Sequence, residues 1–458
     1  MHSLTIIIIG QPYKELDNRE DVITLKDPSV NNIKEVVSHV FSRYTLLVNN
    51  INNNIRILPG SIERLRDIAK RTKSRSIYSD YTTIIDGVRH DNPLIKYQIG
   101  SLRNDFDFGP LVIIQTDTLK ICVRKLNPQL KYSTFYELRL MISEVELPSR
   151  IPEILSVIDT NKSDDFNQFL YQKKENKEIQ LENEEVCNNH LKRIGAWLLP
   201  KTQEIDFSVY SFNNEASIII PVKNRARTIK DALNSAVNQK TDFNYNIIVV
   251  DNYSTDGTSE MIEEFVVTHS NVIHIIPKCK YLGIGGCWNE AIKSEQCGKF
   301  AVQLDSDDLY LNEKTLQRII NKFKADKCGI VVGSYKIVNF NLEEIPPGVI
   351  SHDEWTMANG HNNALRINGF GAPRAFYTPL VRKIEFPNVN YGEDYALMLE
   401  ITGKYKLSRI FEPIYLCRRW DGNSDSNIDI VTKNKHDFYK DTIRTIEIQC
   451  RRKRNHRI

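Results

Sequence analysis

Short, wholly apolar runs alternate with amphipathic stretches through the second half of the chain. A run that is apolar at every position predicts a strand buried on both faces, and an amphipathic stretch predicts a helix. The predicted order is strand 216–221, helix 229–237, strand 245–251, helix 259–267, strand 272–276, helix 288–294 and strand 300–304. This alternation is typical of an α/β fold with a mostly parallel central sheet and flanking helices.

The first half of the chain shows a weaker version of the same alternation, with predicted strands at 23–25, 44–48 and 75–78 and predicted helices at 32–42 and 61–72. Ser79-Asp80-Tyr81 follows a strand as Asp305-Ser306-Asp307 does, and Phe135-Tyr136 parallels Asp394-Tyr395. We interpret this half as a diverged internal copy that has lost its chemistry, because Phe135 replaces Asp394. The alternative is a pair of unrelated α/β domains that share only their periodicity.

These patterns predict two tandem α/β domains, which a length of 458 residues allows. Residues 1–160 are predicted as the degenerate domain and residues 213–425 as the domain that carries the chemistry. The polar stretch 161–212 predicts a helical linker around a helix at 179–198, and residues 426–458 predict a C-terminal helix with a basic tail.

Composition removes several classes of protein. A hydrophobic content of 41%, a charged content of 26% and a net charge of +3 indicate a globular protein and give no case for a nucleic-acid partner. The eight cysteines form no Cys-x-x-Cys pair and accompany no histidine cluster, so we expect reduced thiols in a cytoplasmic protein. The apolar start, residues 1–10, lacks the features of a leader and is predicted as a strand. No run approaches the roughly 20 apolar residues of a membrane span, so any membrane contact would be peripheral.

The C-terminal residues 450–458 are rich in Arg and Lys and follow a predicted helix at 436–448. One interpretation is peripheral attachment to anionic lipid at the inner face of the membrane, worth about 1 kcal/mol per cation. The other interpretation is a solvated helix end.

The acidic run Asp305-Ser306-Asp307-Asp308 directly follows a predicted buried strand. Carboxylates that lie close together repel one another, and burial raises the cost of their charge. A hard divalent cation with oxygen ligands, Mn²⁺ or Mg²⁺, removes that cost and can neutralise a diphosphate leaving group. Asp305 and Asp307 are the predicted metal ligands. The alternative is an Asp-rich turn that caps a helix at 311–323.

Four further segments are candidates for the same chemistry. The segment 221–227 places cations where a strand leads into a helix, a favourable place for a phosphate, although a solvated basic turn would look alike. Asp251-Asn252, at a strand end, has the donors and acceptors to read a nucleobase. Gly283 and its neighbouring glycines permit close approach of a backbone to a ligand, or simply form a turn. Glu393-Asp394 precedes a helix and can supply a general base or only a first-turn acid.

Together these segments resemble glycosyltransferase family 2 over about residues 216–420. Its motifs occur here in order: Ile219-Ile220-Pro221-Val222-Lys223-Asn224-Arg225, then Val249-Val250-Asp251-Asn252, then Leu304-Asp305-Ser306-Asp307-Asp308, then Gly392-Glu393-Asp394-Tyr395. The resemblance implies a GT-A fold of the nucleotide-diphospho-sugar transferase type, with one half for the donor and one for the acceptor.

The resemblance also implies roles for individual residues. Asp394 would be the general base, with Glu393 beside it, and Asp305 and Asp307 would hold the metal and the sugar diphosphate. Residues 362–374 would lie near the transferred sugar and the acceptor. The donor-binding set would be Pro221, Lys223, Asn224, Arg225, Asp251, Asn252, Gly283, Asn289, Asp305, Ser306, Arg419 and Trp420, with Arg418 next to the last two. Many members have two aspartates where this chain has Asp251-Asn252, which leaves the nucleobase open.

The resemblance predicts transfer of a sugar from a nucleotide-diphospho-sugar donor to a saccharide or lipid-linked acceptor, with inversion, in the assembly of a surface polysaccharide or glycan. One alternative is a sugar-nucleotide nucleotidyltransferase, which needs similar carboxylates but usually has a Gly-rich basic signature after its first strand that this sequence lacks. Another alternative, plausible for the first half, is a non-catalytic saccharide-binding protein.

Overall fold

The computed structural model describes residues 3–16, 19–52, 54–160, 177–353, 355–421, 423 and 428–456. The chain forms two compact units: unit 1 comprises residues 1–197 and 429–458, and unit 2 comprises residues 198–428. These bounds differ from the predicted division, because the helix predicted as part of a linker and the C-terminal helix both belong to unit 1.

The described residues up to 197 contain eight strands and five helices. They are β1 (Leu4–Gly10), β2 (Val22–Leu25), α1 (Val30–Ser38), β3 (Tyr44–Asn50), β4 (Ile55–Ile57), α2 (Ser61–Thr72), β5 (Ser76–Ile85), β6 (Val88–Asn92), β7 (Leu111–Gln115), α3 (Thr116–Lys125), α4 (Thr134–Val145), β8 (Ser149–Thr160) and α5 (Lys177–Arg193).

The described residues after 197 contain nine strands and eight helices. They are β9 (Ala216–Val222), α6 (Ile229–Val237), β10 (Tyr245–Asp251), α7 (Thr258–Thr268), β11 (Val272–Ile275), α8 (Ile284–Lys293), β12 (Phe300–Gln303), β13 (Leu309–Tyr310), α9 (Thr315–Asp326), β14 (Ile330–Val338), β15 (Glu344–Ile350), α10 (Gly360–Asn363), β16 (Arg374–Tyr377), α11 (Thr378–Ile384), α12 (Glu393–Thr402), β17 (Leu407–Arg418) and α13 (Ile430–Asn455).

The sheet of unit 2 is built around the apolar strands that the sequence predicts. Its order is β11-β10-β9-β12-β16-β14-β17-β13, with β15 paired to β14. The part formed by β11, β10, β9 and β12 is parallel, whereas β16 runs antiparallel to both β12 and β14. Strands β10 and β12 are buried along nearly their whole length because helices cover the sheet.

The sheet of unit 1 repeats this arrangement. Its order is β2-β1-β3-β7-β5-β8-β4, with β6 paired to β5. The strands of the two sheets correspond in order: β2, β1, β3, β7, β5, β8 and β4 of unit 1 match β10, β9, β12, β16, β14, β17 and β13 of unit 2. With this correspondence, each pair of neighbouring strands is parallel in both sheets or antiparallel in both sheets. Within the described residues, unit 1 lacks only a counterpart of β11. The predicted α/β fold class is therefore confirmed for both units, with sheets that are mixed beyond their parallel part.

Sheet register gives the positions that correspond in the two units. Phe300 pairs with Tyr377 immediately before α11, and Tyr44 pairs with Gln115 immediately before α3. Counting from these pairs, the counterparts of Gln303, Asp305, Asp307 and Arg374 are Leu47, Asn49, Ile51 and Val112. The helix starts likewise match Asp394 with Phe135, as the sequence predicts.

One predicted correspondence is wrong. The counterpart of Asp80 is Ser334 on β14, and both residues lie where the register shifts against the neighbouring strand. Asp80 therefore does not occupy the place of Asp305. Its carboxylate is buried and accepts two hydrogen bonds from Arg150, at 2.8 and 2.6 Å, and one from the backbone of Leu94. The sequence placed Asp80 incorrectly because Asp80 lies within β5, which continues to Ile85, whereas Asp305 follows the end of β12, and the two strands occupy different places in their sheets.

The C-terminal helix α13 packs into unit 1 along residues 98–103. A Cβ at Gly100 would lie 2.1 Å from the carbonyl oxygen of Asp441, so only glycine permits this approach. Asp441 and Arg444 are fully buried and paired with each other at 2.8 Å. The predicted helix at 436–448 is thus longer than expected.

The basic C-terminal residues are part of this helix. Arg451 is fully buried and donates to Glu447, Arg454 donates to the same carboxylate, and Arg452 donates to the carbonyl of Ile194. These internal contacts account for the three cations without a lipid surface. Residues 457 and 458 of the predicted tail, like residues 161–176 of the predicted linker, lie outside the described residues. No helix in the described part of the chain is long and apolar enough to cross a membrane.

Candidate active site

The carboxyl end of β10 holds the first site pair, Asp251 and Asn252. Asp251 is fully buried and accepts hydrogen bonds from the backbone of Ser254 and the hydroxyl of Ser259. Burial raises the pKa of Asp251. Hydrogen bonds from His274, Ser259 and Ser254 outweigh this effect and hold that pKa below its ordinary value. Asp251 is therefore negatively charged, and its carboxylate is already hydrogen-bonded to the loop that follows it.

Asn252 has one polar atom that the protein leaves open. Its Nδ2 donates to the carbonyl of Leu282 at 2.9 Å, whereas its Oδ1 is buried and has no hydrogen-bond partner among the described residues. A buried acceptor without a donor costs about 1–3 kcal/mol. The amide orientation is fixed by Leu282, so Oδ1 is an acceptor that a bound ligand can satisfy.

The loop from β9 to α6 differs from the predicted phosphate site. Its backbone N–H groups are already bonded by side chains of the β10–α7 loop: Asn224 to Ser254, Arg225 to Thr258 and Ala226 to Asp256, at 2.8–3.0 Å. Backbone amides at this helix start are therefore not available to an anion. Pro221 and Lys223 lie at the end of β9, where Pro221 pairs with Val250.

The glycine segment before α8 packs against protein. A Cβ at Gly285 would lie 2.0 Å from the carbonyl oxygen of Pro387, and the N–H of Gly283 donates to Asn388 at 2.7 Å. The amide of Asn289 is bonded at both ends to the backbone of Phe386. Gly283 and Asn289 therefore hold residues 386–390 in place, and their predicted contact with the donor stays a prediction.

Asp305 lies just beyond β12, and its neighbours fix its position. Both of its carboxylate oxygens accept from the Gln303 side chain, at 2.9 and 2.8 Å, and its N–H donates to the hydroxyl of Tyr415. Burial raises the pKa of Asp305; Arg374 opposes this rise, and the charges of Asp307 and Asp394 add to it. The carboxylate is therefore short of positive partners.

Asp307 faces the segment that follows β17. Its Oδ2 accepts from the indole of Trp420 at 3.3 Å and from Asn423 at 3.2 Å, and Arg225 lies 3.8 Å away. The Trp420 ring contacts Phe340, and the guanidinium of Arg227 stacks on Phe340 at 3.8 Å from its centroid. The structure thus brings Trp420 and Arg225 to Asp307, as the predicted donor set requires.

The remaining predicted residues have structural partners. The carbonyl oxygen of Ser306 accepts a hydrogen bond from the hydroxyl of Thr228. The backbone N–H of Arg419 donates to the carbonyl oxygen of Val338. Arg418 is buried, donates its side chain to Asp231 and its backbone N–H to Asp308. The Arg419 backbone bond is 2.7 Å long. Arg418 and Arg419 therefore fix the chain that leads to Trp420.

Arg374 is the site residue that the sequence analysis did not single out. Its guanidinium donates to Asp394 at 2.5 Å and to the carbonyl of Gly371 at 3.3 Å, and its backbone N–H donates to Gln303. Burial lowers the pKa of Arg374. The charges of Asp394, Asp305 and Glu393 outweigh this effect and hold that pKa above its ordinary value. Asp305 and Asp394, predicted for different roles, therefore share one cation.

Glu393 lies beside Asp394 at the start of α12 and is buried. Burial, with a further contribution from the charge of Asp394, raises the pKa of Glu393 to about 8. Glu393 is therefore protonated at neutral pH and is unsuited to accept a proton there. Of the two adjacent acids, Asp394 is the better candidate for a general base.

The carboxylates suit a hard divalent cation only in part. Among the described residues, no group of three or more His, Cys, Asp and Glu side chains is arranged to hold a metal ion alone. Mg²⁺, however, is usually bound through one or two carboxylates and the phosphates of a substrate. Asp305 and Asp307 offer this set of oxygen ligands, and burial, with the charges of Asp307 and Asp394, raises the pKa of Asp305. The residues present therefore fit a cation that arrives with a diphosphate.

Known proteins provide an independent comparison. The family model for glycosyl transferase family 2 matches residues 217–376, which include the strand-end acids and β16. A poly(ribitol-phosphate) beta-glucosyltransferase of Bacillus spizizenii is 29% identical over 246 residues, which cover 50% of this chain and 36% of that protein. A chondroitin synthase of Escherichia coli is 26% identical over 172 residues, covering 32% of this chain and 24% of that protein.

The chain thus spans a quarter to about a third of the length of these two relatives. Among solved structures, residues 1–349 of S. aureus TarS with UDP-GlcNAc are 22% identical, with a TM-score of 0.42, and the match covers 51% of this chain and 66% of that one. The family-model match falls on the unit that carries the acidic residues.

Proposed function

We propose, from the premise that residues 217–376 form a glycosyl transferase family 2 domain, that unit 2 transfers a sugar from a nucleotide-diphospho-sugar donor to an acceptor. The acceptor is a saccharide or a lipid-linked saccharide, and the product belongs to a surface polysaccharide or glycan. The names of the two sequence relatives, which act on poly(ribitol-phosphate) and make chondroitin, support this class of product.

The observation that carries the proposal is the shared cation of Asp305 and Asp394. Arg374 donates to Asp394 and is influenced by the charge of Asp305, so the candidate metal ligand and the candidate base belong to one cleft. A transferase needs this proximity, because the leaving diphosphate and the attacking hydroxyl act on the same anomeric carbon.

The nucleoside end of the donor belongs at the carboxyl end of β10. The unpartnered Oδ1 of Asn252 accepts a hydrogen bond from the base, for which an imide N–H such as that of uracil or thymine is a suitable donor. The indole of Trp420 and the guanidinium of Arg225 lie on the side of Asp307, where the diphosphate binds. Asp251 supports this region as a buried anion that orders its own loop.

The proposed reaction is a single displacement with inversion at the anomeric carbon. Asp394 accepts the proton of the acceptor hydroxyl as that oxygen attacks from the face opposite the diphosphate. Asp305 and Asp307 would hold Mn²⁺ or Mg²⁺, which supplies positive charge to the leaving diphosphate when bound. Glu393, protonated at neutral pH, donates rather than accepts hydrogen bonds.

Unit 1 is proposed to be a non-catalytic copy of the same architecture. Its counterparts of Asp305, Asp307 and Asp394 are Asn49, Ile51 and Phe135, none of which can ionise. Its repeated strand order supports a common origin with unit 2. These three positions of unit 1 therefore provide no carboxylate to hold a metal ion or to accept a proton.

The proposed function is tested with the full chain and a panel of nucleoside diphosphates. A ligand that binds only the folded protein raises its melting temperature. We expect one of UDP, TDP and GDP to raise it in the presence of Mn²⁺, and Asp307→Ala to remove most of this increase. An Asp326→Ala control, altered outside the cleft, should keep it. If none of the nucleotides changes the melting temperature with Mn²⁺ or Mg²⁺, the proposal is wrong.

A further inference from the structure

Arg374 occupies the place where a cation is most needed in this cleft. It lies on β16, directly beside the end of β12, and its backbone N–H is bonded to the Gln303 side chain at 3.0 Å. The same Gln303 side chain donates to both oxygens of Asp305. Gln303 therefore connects the position of Arg374 to that of the candidate metal ligand.

Three acidic side chains surround this single guanidinium. Asp394 is bonded to it, and the charges of Asp305 and Glu393 also act on it. In the absence of a donor, Arg374 is the positive charge that compensates Asp305 and Asp394. Uncompensated carboxylates in so buried a place would be costly, because water cannot screen their repulsion.

The comparison of the two sheets supports this role independently. In unit 1 the pair corresponding to Gln303 and Arg374 is Leu47 and Val112, which face each other in the β3–β7 register. The acids are missing there, and the arginine and the glutamine are missing with them. The strand pairing itself is unchanged, so Arg374 is not required to build the sheet.

We infer that Arg374 is a positioning residue that occupies the place of the divalent cation electrostatically until the donor binds. It holds Asp394 against Gly371 and competes with the metal for the negative charge of Asp305. Asp305 and Asp307 would hold the metal together with the diphosphate, and Asp394 would then be available to the acceptor. This inference rests on the proposed function, since it assigns the cation to the same cleft.

Substitution of Arg374 therefore has an outcome that a purely structural role would not produce. We expect Arg374→Gln to bind Mn²⁺ about tenfold or more tightly than the native protein, because the competing charge is gone. The same variant should lose sugar transfer by at least about a hundredfold, because Asp394 is no longer held. Arg374→Lys should keep the native Mn²⁺ affinity, since its charge is retained, but transfer sugar slowly because an ammonium lacks the guanidinium fork.

The measurement is calorimetric titration of the full chain with Mn²⁺ alone at pH 8, without donor. Arg382→Gln is the matched control, because the Arg382 guanidinium donates only to the carbonyls of Ile292 and Ser294. Unchanged or weaker Mn²⁺ binding by Arg374→Gln overturns the inference.

If Arg374→Gln does not fold, Asp394→Asn provides a second test. Removal of one acid leaves the guanidinium to Asp305, so Mn²⁺ affinity should fall by at least about threefold although Asp394 is not a ligand. Unchanged affinity overturns the inference here as well. The native protein's response to nucleoside diphosphates is measured separately, so failure of the inference and failure of the proposed function give different results.

Discussion

The two sheets of this protein share a strand order and differ in the charge at one edge. In unit 2 the ends of β12 and β16 carry Gln303, Asp305 and Arg374, whereas the same places in unit 1 carry Leu47, Asn49 and Val112. The sheet of unit 1 forms the same pairings without charges at these three places, so these charges are not needed for folding. Charges that are costly to bury and unnecessary for the fold are best explained by chemistry.

Where a carboxylate persists in unit 1, its surroundings satisfy it completely. Asp80 receives two hydrogen bonds from Arg150 and one from a backbone N–H. Among the described residues, the carboxylate of Asp305 of unit 2 accepts hydrogen bonds from the neutral Gln303 amide, and the charge of Arg374, which is bonded to Asp394, also acts on it. The contrast distinguishes an acid that stabilises a fold from one that awaits a ligand.

The largest expected effect comes from Asp394. Asp394→Asn should reduce sugar transfer about 10²- to 10⁴-fold, because the attacking hydroxyl loses its proton acceptor. Donor binding should remain, since that helix start does not contact the nucleoside end. Phe135→Leu, at the corresponding place of unit 1, is the control and should transfer sugar at the native rate. Native turnover by Asp394→Asn would assign the base elsewhere.

The next effect concerns unit 1. Asp80→Asn should cost about 3 kcal/mol of unfolding free energy, because it leaves the Arg150 guanidinium without its anion. The measurement is urea unfolding, with the nucleotide-induced change in melting temperature as the second reading. We expect that change to persist. Loss of nucleotide binding together with intact stability would mean that unit 1 carries part of the donor site.

A smaller effect is expected at Asn252. Asn252→Ala removes the buried acceptor and should weaken nucleoside diphosphate binding by about 1–3 kcal/mol, or roughly 5- to 150-fold. Calorimetry with the nucleotide identified in the screen gives this value directly. Lys26→Ala, exposed at the place of unit 1 that corresponds to Asp251, is the control. Equal binding by Asn252→Ala and native protein would remove this residue from the donor site.

The smallest effect is a change in the pH dependence of stability. The pKa of Glu393 is about 8 in the folded protein and 4.5 ordinarily. Between these values the folded state keeps a proton that the unfolded state has released, so stability falls with rising pH by up to about 1.4 kcal/mol per unit. Glu393→Gln should remove this slope in urea unfolding at pH 5–8. The exposed Glu400→Gln on the same helix should retain it; an unaltered slope in Glu393→Gln would contradict the assignment.

Much of the fold could be predicted from the sequence where structure depends on local pattern. Strand β10 and helices α2 and α6 begin and end at the predicted residues, because each is an unbroken apolar or amphipathic stretch. The strand-end acids were predicted for the same reason, since an acidic run after a buried strand can be recognised without the fold. The sequence predicts the parallel part of the unit 2 sheet better than any other part of the fold.

The rest depends on contacts between residues far apart in the chain. Arg374 joins the site only because β16 inserts beside β12, and no local pattern around residue 374 indicates that pairing. The correspondence of Asp80 was wrong for the same reason, as register is a property of the sheet. The occupied amides of Asn224 and Arg225 were also unpredictable, since their partners come from the next loop.

The placement of α13 has a consequence for the order in which this chain matures. Asp441 accepts a hydrogen bond from Ser101, so the core of unit 1 combines an early segment with one translated more than three hundred residues later. Unit 2 is thus inserted between the two segments of unit 1. It can fold on the ribosome before α13, which completes unit 1, has been synthesised. A stop codon after residue 428 would leave unit 2 intact but remove Asp437 and Asp441, so that the buried Arg103 of unit 1 would keep only Asp105 as an ion-pair partner among the described residues.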